Sequence, residues 1–243
     1  MENVSNQGMN RFISGLEDLH IHLEEEQLQQ FLRYYELLVE WNKVMNLTAI
    51  TEFEDVVIKH FLDSLSLIKV TTLNSERLLD MGTGAGFPGL PLKIAFPGLK
   101  VVLIDSLKKR ILFLDETIKS LGLSDIIAVH GRAEDYGREI GYRESFDFCV
   151  SRAVAKLPVL SEYCLPYVKQ GGYFIPYKSG MIQEEKEEAV GAIRILGAEI
   201  ERTEKFRLPG TDMDRTLILI HKTKATPLKY PRSAGKPIKE PLH

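Results

Sequence analysis

The sequence is poor in the residues that mark disulfide-stapled, metal-built or membrane proteins. Its 243 residues include two cysteines, Cys149 and Cys164, each inside an apolar stretch. That argues against a disulfide framework and fits a reducing compartment. The six histidines are scattered, with His20 and His22 the one close pair, and no cysteine or carboxylate pattern completes a metal site. No metal is expected. No uncharged apolar run reaches the roughly 18 residues of a membrane span. The opening "MENVSNQGMNRFISGLEDLH" has neither the basic nor the apolar part of a secretion signal, so the expectation is a cytoplasmic protein with no membrane partner. A positive excess is missing too. The net charge is -3, so any contact with nucleic acid must come from a local patch. The 44% hydrophobic content suffices for one sizeable core, or for a domain of about 150 residues with an appendage. No sustained exposed heptad is present, and a monomer is expected.

Three regions differ in pattern. Residues 1–70 read as helical and form an N-terminal extension. Leu28, Phe31, Leu32, Tyr35, Leu38 and Val39 recur at helical spacing, and Val57, Phe61, Leu65 and Ile68 make a second stripe, with Thr51 as a cap. Residues 71–222 switch to short apolar runs alternating with amphipathic segments. "RLLDM", "KVVLID", "DIIAVH", "SFDFCVS" and "GGYFIPYK" read as strands. "KKRILFLDETIKSLG", "VAKLPVLSEYCLPYVKQ" and "MIQEEKEEAVGAIRILG" read as helices. Such alternation predicts an α/β fold: a Rossmann-like, mostly parallel sheet flanked by helices. "AEIERTEKFRLP" and "DRTLILIHK", joined by a short turn, predict an antiparallel strand near the sheet edge. Residues 223–243 form a basic tail interrupted by four prolines, which cannot be a regular helix.

"DMGTGAGFPG" places four glycines, at 82, 84, 86 and 89, within eight residues after the first strand. As a bare pattern, Gly84 to Gly89 satisfies the dinucleotide fingerprint, which is weak by itself. The frame around it is more informative. Asp80 ends the strand two positions before Gly82, where a dinucleotide turn usually stays apolar. A carboxylate is unwelcome beside a pyrophosphate, but it can pair with the amino group of a methionine moiety. Alternating glycines let the backbone approach a ligand closely, Pro88 suits a first helical turn, and the helix start offers free N–H groups to a carboxylate. S-adenosylmethionine (SAM) is therefore the expected cofactor. Asp105, 19 residues beyond Gly86, suits the ribose hydroxyls of NAD and SAM alike. Ala133 and Glu134, after the third strand, fall where a loop contacts adenine; an exposed loop carboxylate is the plainer reading of Glu134.

Two devices of methyl transfer are missing. After the fourth strand the chain reads "CVSRAVA", with no Asn-Pro-Pro-Tyr-like acceptor for an exocyclic amine and no Pro-Cys nucleophile. Cys149 reads as core. An atom that is already nucleophilic, such as guanine N7, needs neither device, and catalysis is then placement without a general base. Arg152 suits the SAM carboxylate, a phosphate, guanine O6 or a neighbouring acid.

"LVEWNKVMNLTAIT", "KHFLDSL", "LLDMGTGAGFPGLPL", "VVLIDSLKKRILFL", "GRAED", "VSRAVAKL" and "YPRSAGKPIKEPL" together resemble the RsmG (GidB) family, from about residue 30 to the end. That resemblance implies methyl transfer from SAM to guanine N7 in the 530 loop of 16S rRNA, on naked RNA or the small ribosomal subunit. It implies a SAM site at Gly82, Phe87, Ala133, Glu134 and Arg152, where an aromatic at 87 packs on adenosine or near the sulfonium. RNA then approaches the carboxyl ends of the strands. Lys178, at the end of the fifth strand, and the tail residues Lys229, Arg232, Lys236 and Lys239 are the candidates to meet it. Asn42, Asn46, His60 and Asp63 either close the cofactor pocket or serve helix capping and interhelix bonds. The alternatives are a small-molecule SAM-dependent methyltransferase and, further off, a nicotinamide oxidoreductase or a non-catalytic nucleotide-binding module.

Overall fold

The computed structural model describes residues 2–180 and 182–243. Seven strands form one sheet in the order β3-β2-β1-β4-β5-β7-β6. These are β1 (Arg77–Met81), β2 (Lys100–Asp105), β3 (Ile126–His130), β4 (Phe146–Arg152), β5 (Val168–Ser179), β6 (Ala198–Arg207) and β7 (Asp214–Lys222). β1 to β5 are parallel, and β7 runs antiparallel to both β5 and β6. The mostly parallel α/β sheet expected from the alternating pattern is present.

The strand residues explain why both faces are covered. Leu78 and Val101 face one core with Val150 and Ile175, while Leu79 and Val102 face another with Cys149 and Phe174. Period-two alternation of apolar residues on both faces demands helices above and below. On the first face lie α1 (Glu2–Asp18), α2 (Glu25–Met45), a helical run from α3 (Phe53–Val56) through a π-helical stretch Val57–Leu62 to α4 (Asp63–Leu65), then α5 (Gly89–Ala95) and α6 (Lys108–Ser120). On the second lie α7 (Ala133–Tyr136), α8 (Leu157–Cys164) and α9 (Gln183–Ile195). The N-terminal helices share the first core with the sheet: Phe12, Phe31, Tyr34 and Phe61 sit in one cluster with Leu78, Phe87 and Val150. Among the described residues no helix is long and apolar enough to cross a membrane.

Local expectations fail at three places, each for a physical reason. The helix anticipated over 154–170 stops at Cys164, because Pro166 supplies no amide hydrogen; a 3-10 turn follows and β5 begins at Val168. Glu52, not Thr51, precedes α3 as its cap residue. In α2 the deepest residues are Phe31, Tyr34, Leu37 and Leu38, so the buried stripe is rotated from the anticipated one, which had Tyr35 where Tyr34 is fully buried. The tail holds one short helix, α10 (Lys236–Lys239).

Candidate active site

β1 lies where the chain order reverses, between β2 and β4, so a crevice opens at the carboxyl ends of the strands. Two clefts occupy it. The first, of about 360 Å³, is lined by Gly82, Asp105, Ala133, Glu134, Val154 and Tyr163 among others. The second, of about 480 Å³, is lined by His60, Asp63, Arg152, Tyr177, Lys178 and Arg215 among others. The segment after β4 separates them. Arg152 and Ala153 line the second cleft, and Val154 lines the first. Ala153 has φ 57°, a left-handed conformation that costs a non-glycine residue about 1–2 kcal/mol. Such strain clusters at functional sites.

The glycine turn meets the first cleft at Gly82. Gly82 has φ 71°, and a Cβ there would meet Val154 Cγ2 at 2.5 Å. Gly84, φ 63°, faces open space, so nothing of the protein fills the position its missing side chain leaves. Gly86 accommodates the hydroxyl of the buried Tyr34, which donates to the Ala85 carbonyl. Asp80 lies under the turn, fully buried. Its Oδ2 accepts from the Thr83 hydroxyl (2.6 Å) and the Gly89 amide (2.8 Å), which ties the turn to the start of α5. Its Oδ1 is the one buried side-chain polar atom without a partner among the described residues. Burial pushes the Asp80 carboxyl up to about 6, against the lowering effect of those two bonds and of the Arg152 charge. A buried carboxylate with an unpaired oxygen lacks a cationic or hydrogen-bonding partner.

Asp105 is nearly buried at the end of β2. It accepts from the amides of Gly84 and Leu107 and from Arg110, with contacts of 2.9–3.0 Å. Ala133 and Glu134 open α7. Tyr167 donates to the Ala133 carbonyl, and Glu134 Oε1 accepts from the Gly235 amide at 3.0 Å. Burial, then the carboxylates of Glu134 and Glu162, push the Tyr163 phenol up to about 12.

The second cleft is built from side chains of distant segments. Asp63 bridges two arginines: Oδ2 accepts from Arg152 at 2.9 Å and Oδ1 from Arg215 at 2.8 Å. Arg152 also donates to the Lys59 carbonyl and lies beside His60 Nδ1 at 3.2 Å. Burial, then the Arg152 charge, hold His60 down at about 4, so the imidazole is neutral at pH 7. Lys178 pairs with Glu185 at 2.6 Å and donates to the Ala155 carbonyl. Tyr177 donates to the Ser64 carbonyl. Asn46 ends α2 in a left-handed conformation and Asn42 Oδ1 accepts from the Thr48 amide.

Several expected site residues are engaged by other parts of the protein. Arg152 lines the second cleft, where Asp63 and Lys59 of the N-terminal helices hold it, so the neighbouring acid anticipated as one of its partners is present. Phe87 is enclosed: its ring stacks on His60 at 4.4 Å and packs on Tyr34 at 5.4 Å, and the cation over its face is the Arg152 guanidinium, 5.0 Å from the centroid. It joins the glycine turn to the N-terminal helices. Arg232, expected to meet phosphate, binds the buried Glu162 through both carboxylate oxygens, since an acid in that position requires a cation. Lys229, Lys236 and Lys239 are exposed. Cys149 is fully buried and burial pushes its thiol up, which suits core and not a nucleophile. Sequence reasoning missed Arg215, Tyr177 and Lys59. Arg215 lies between Asp214 and Thr216 at the polar start of β7, and nothing in that local pattern singles it out.

Solved structures place the fold. A SAM-dependent methyltransferase from Aquifex aeolicus aligns at TM-score 0.50 and 18% identity, covering 68% of this chain and 92% of that one. TYW2 of M. jannaschii, solved in complex with AdoMet, aligns at TM-score 0.51 and 16% identity, covering 64% of this chain and 72% of that one. The fold is that of the methyltransferases. The sequence is more specific: a family model described as "GidB: rRNA small subunit methyltransferase G" matches residues 27–217, and the chain belongs to that family. The ribosomal RNA small subunit methyltransferase G of Lachnoclostridium phytofermentans is 60% identical over 95% of this chain and 96% of its own length. That of Alkaliphilus metalliredigens is 51% identical over 94% and 96%.

Proposed function

We propose that this rRNA small-subunit methyltransferase moves a methyl group from SAM to N7 of a guanine in the 530 loop of 16S rRNA. SAM fits the first cleft. Gly84 leaves room for it, the unpaired Oδ1 of Asp80 offers its amino group a partner directly or through water, Asp105 faces its ribose, and Ala133 and Glu134 its adenine. SAM supplies a methyl group already activated on a sulfonium.

The observation that carries the choice of acceptor is the chemistry of the second cleft. Its one imidazole and its two carboxylates are all engaged by cations. His60 is held down at about 4 by burial and Arg152. Asp63 and Glu185 are committed to cations. Guanine N7 has a lone pair and no proton to lose, so it needs no base. Arg152 and Arg215 then hold the base and neighbouring phosphate, and catalysis is alignment of N7 with the methyl–sulfur bond. Lys178 at the cleft and the exposed Lys229, Lys236 and Lys239 meet phosphates, making binding steeply salt-dependent.

The test uses purified protein, methyl-labelled SAM, and 16S rRNA or small subunits from cells lacking the activity, with cleavage at 7-methylguanine. Label at one guanine of the 530 loop is the expected result. Label on an exocyclic amine, or SAM binding without label in any RNA form, overturns it. The second outcome would favour a small-molecule acceptor on the same fold.

A further inference from the structure

The basic tail is not a solvated end. Arg138 donates to the carbonyls of Lys229 and Pro231, and Arg143 to those of Thr226 and Tyr230. Arg232 is clamped by Glu162, which is 1% exposed, and its own amide also donates to that carboxylate. Tyr230 is buried with the second core, and Leu242 packs against it. These contacts carry the chain back over the first cleft. There Gly235 and Ile238 join Arg132, Ala133, Glu134 and Tyr163 in the lining. Ile238 is 64% exposed, a large apolar side chain left in water at the mouth of a cleft. The tail residues in these contacts lie beyond residue 217, where the match to the family model ends, and the residues that hold them lie within it.

We propose that the tail is the outer wall of the adenosine subsite, with Ile238 packed on the adenine ring and Gly235 fixing Glu134 beside it. The proposal rests on the reading of the first cleft as the SAM site. The adenosine end is assigned because Gly235 of the tail bonds Glu134 in the loop after β3, beyond Asp105 at the end of β2. An aliphatic side chain over a flat ring face gains apolar burial that the free protein lacks. The Arg232–Glu162 pair is the buckle that keeps the wall in place.

The test is calorimetric binding of S-adenosylhomocysteine and of 5′-methylthioadenosine, which lacks the amino-acid end, to the full chain and to Ile238→Ala and Ile238→Asp. Removing the aliphatic contact is expected to weaken both ligands by the same factor, about 3- to 30-fold for Ile238→Ala and more for Ile238→Asp. Melting temperature should be unchanged, because the side chain is exposed. S-adenosylhomocysteine should also slow tryptic cleavage after Lys239 in the unmodified protein. Equal affinity in all three proteins, with cleavage unaffected by ligand, overturns the wall. Failure of the unmodified protein to bind either ligand overturns the cofactor reading itself, a result that is distinct.

Discussion

The two clefts sit side by side on one sheet edge but are made of different material. The first is shaped by backbone that side chains hold in place: a glycine turn tied down by Asp80 and Asp105, and a tail whose carbonyls are gripped by arginines. The second is rich in charged side chains, with Lys59, Asp63, Arg152, Lys178, Glu185 and Arg215 brought from distant segments. Backbone suits a ligand that is the same in every turnover, because its shape is fixed by conformations that only glycine adopts easily. Charged side chains suit a polyanion, whose contacts must form and release.

The comparison predicts its own breaking points. Asp63→Ala has the largest effect. It leaves Arg152 and Arg215 without their shared carboxylate, and loss of one partner of a mostly buried ion pair costs about 2–4 kcal/mol after allowance for partial exposure. Methylation should fall by more than about 100-fold while S-adenosylhomocysteine affinity changes little. Chemical denaturation and calorimetry read the two separately.

Asp80→Asn acts on the other cleft. Loss of a charge-assisted bond should weaken S-adenosylhomocysteine by about 10- to 100-fold. Stability moves the other way. The carboxyl sits at about 6 in the fold against 3.8 ordinarily, so the folded chain holds a proton that the unfolded chain has lost. Stability is then lost as pH rises from about 4 through 6, and Asp80→Asn recovers about 1–2 kcal/mol at pH 7, seen as a higher melting temperature without ligand. In the unmodified protein a bound ammonium group favours the ionised form, so ligand affinity should fall as pH drops below about 6.

Lys178→Gln sharpens the contrast. If Lys178 meets one phosphate, the slope of log affinity for RNA against log salt shrinks by about 0.7–0.9, with cofactor affinity unchanged. The smallest effect is that of Ala153→Gly, which relieves left-handed strain and stabilises the fold by about 1 kcal/mol or less. It also loosens the partition between the clefts, so kcat should fall a few-fold with little change in either binding constant.

What was legible in the sequence follows the same division. Asp80, the glycine turn, Asp105 and Ala133–Glu134 lie within 55 residues on successive strand ends, so spacing alone orders them along the sheet edge. The second cleft has no spacing to read. Asp63 meets Arg215 across 152 positions, and only the folded sheet brings β7 next to β5. His60 and Asp63 were noticed as polar residues on one helical face, but their partners were not. Phe87 was assigned to the cofactor only through the family resemblance, and the residues alone left Arg152 open between the SAM carboxylate, a phosphate, guanine O6 and a neighbouring acid. In space the N-terminal helices claim both. The tail was read as basic and therefore as a phosphate surface, although a buried acid in α8 fixes one of its cations.

The place of β7 bears on how the sheet is assembled. It is made after β6 yet lies between β6 and β5. Until it enters, β6 has no neighbour and the long β5, with Phe174 and Ile175 in its middle, shows an open edge. A chain shortened before Asp214 keeps every residue of the glycine turn and of the loop after β3, but it leaves the apolar β5 as an unpaired sheet edge of the kind that recruits other strands. Such a fragment is expected to aggregate before it can hold a nucleoside, and folding of the whole chain waits on its last, long-range strand insertion.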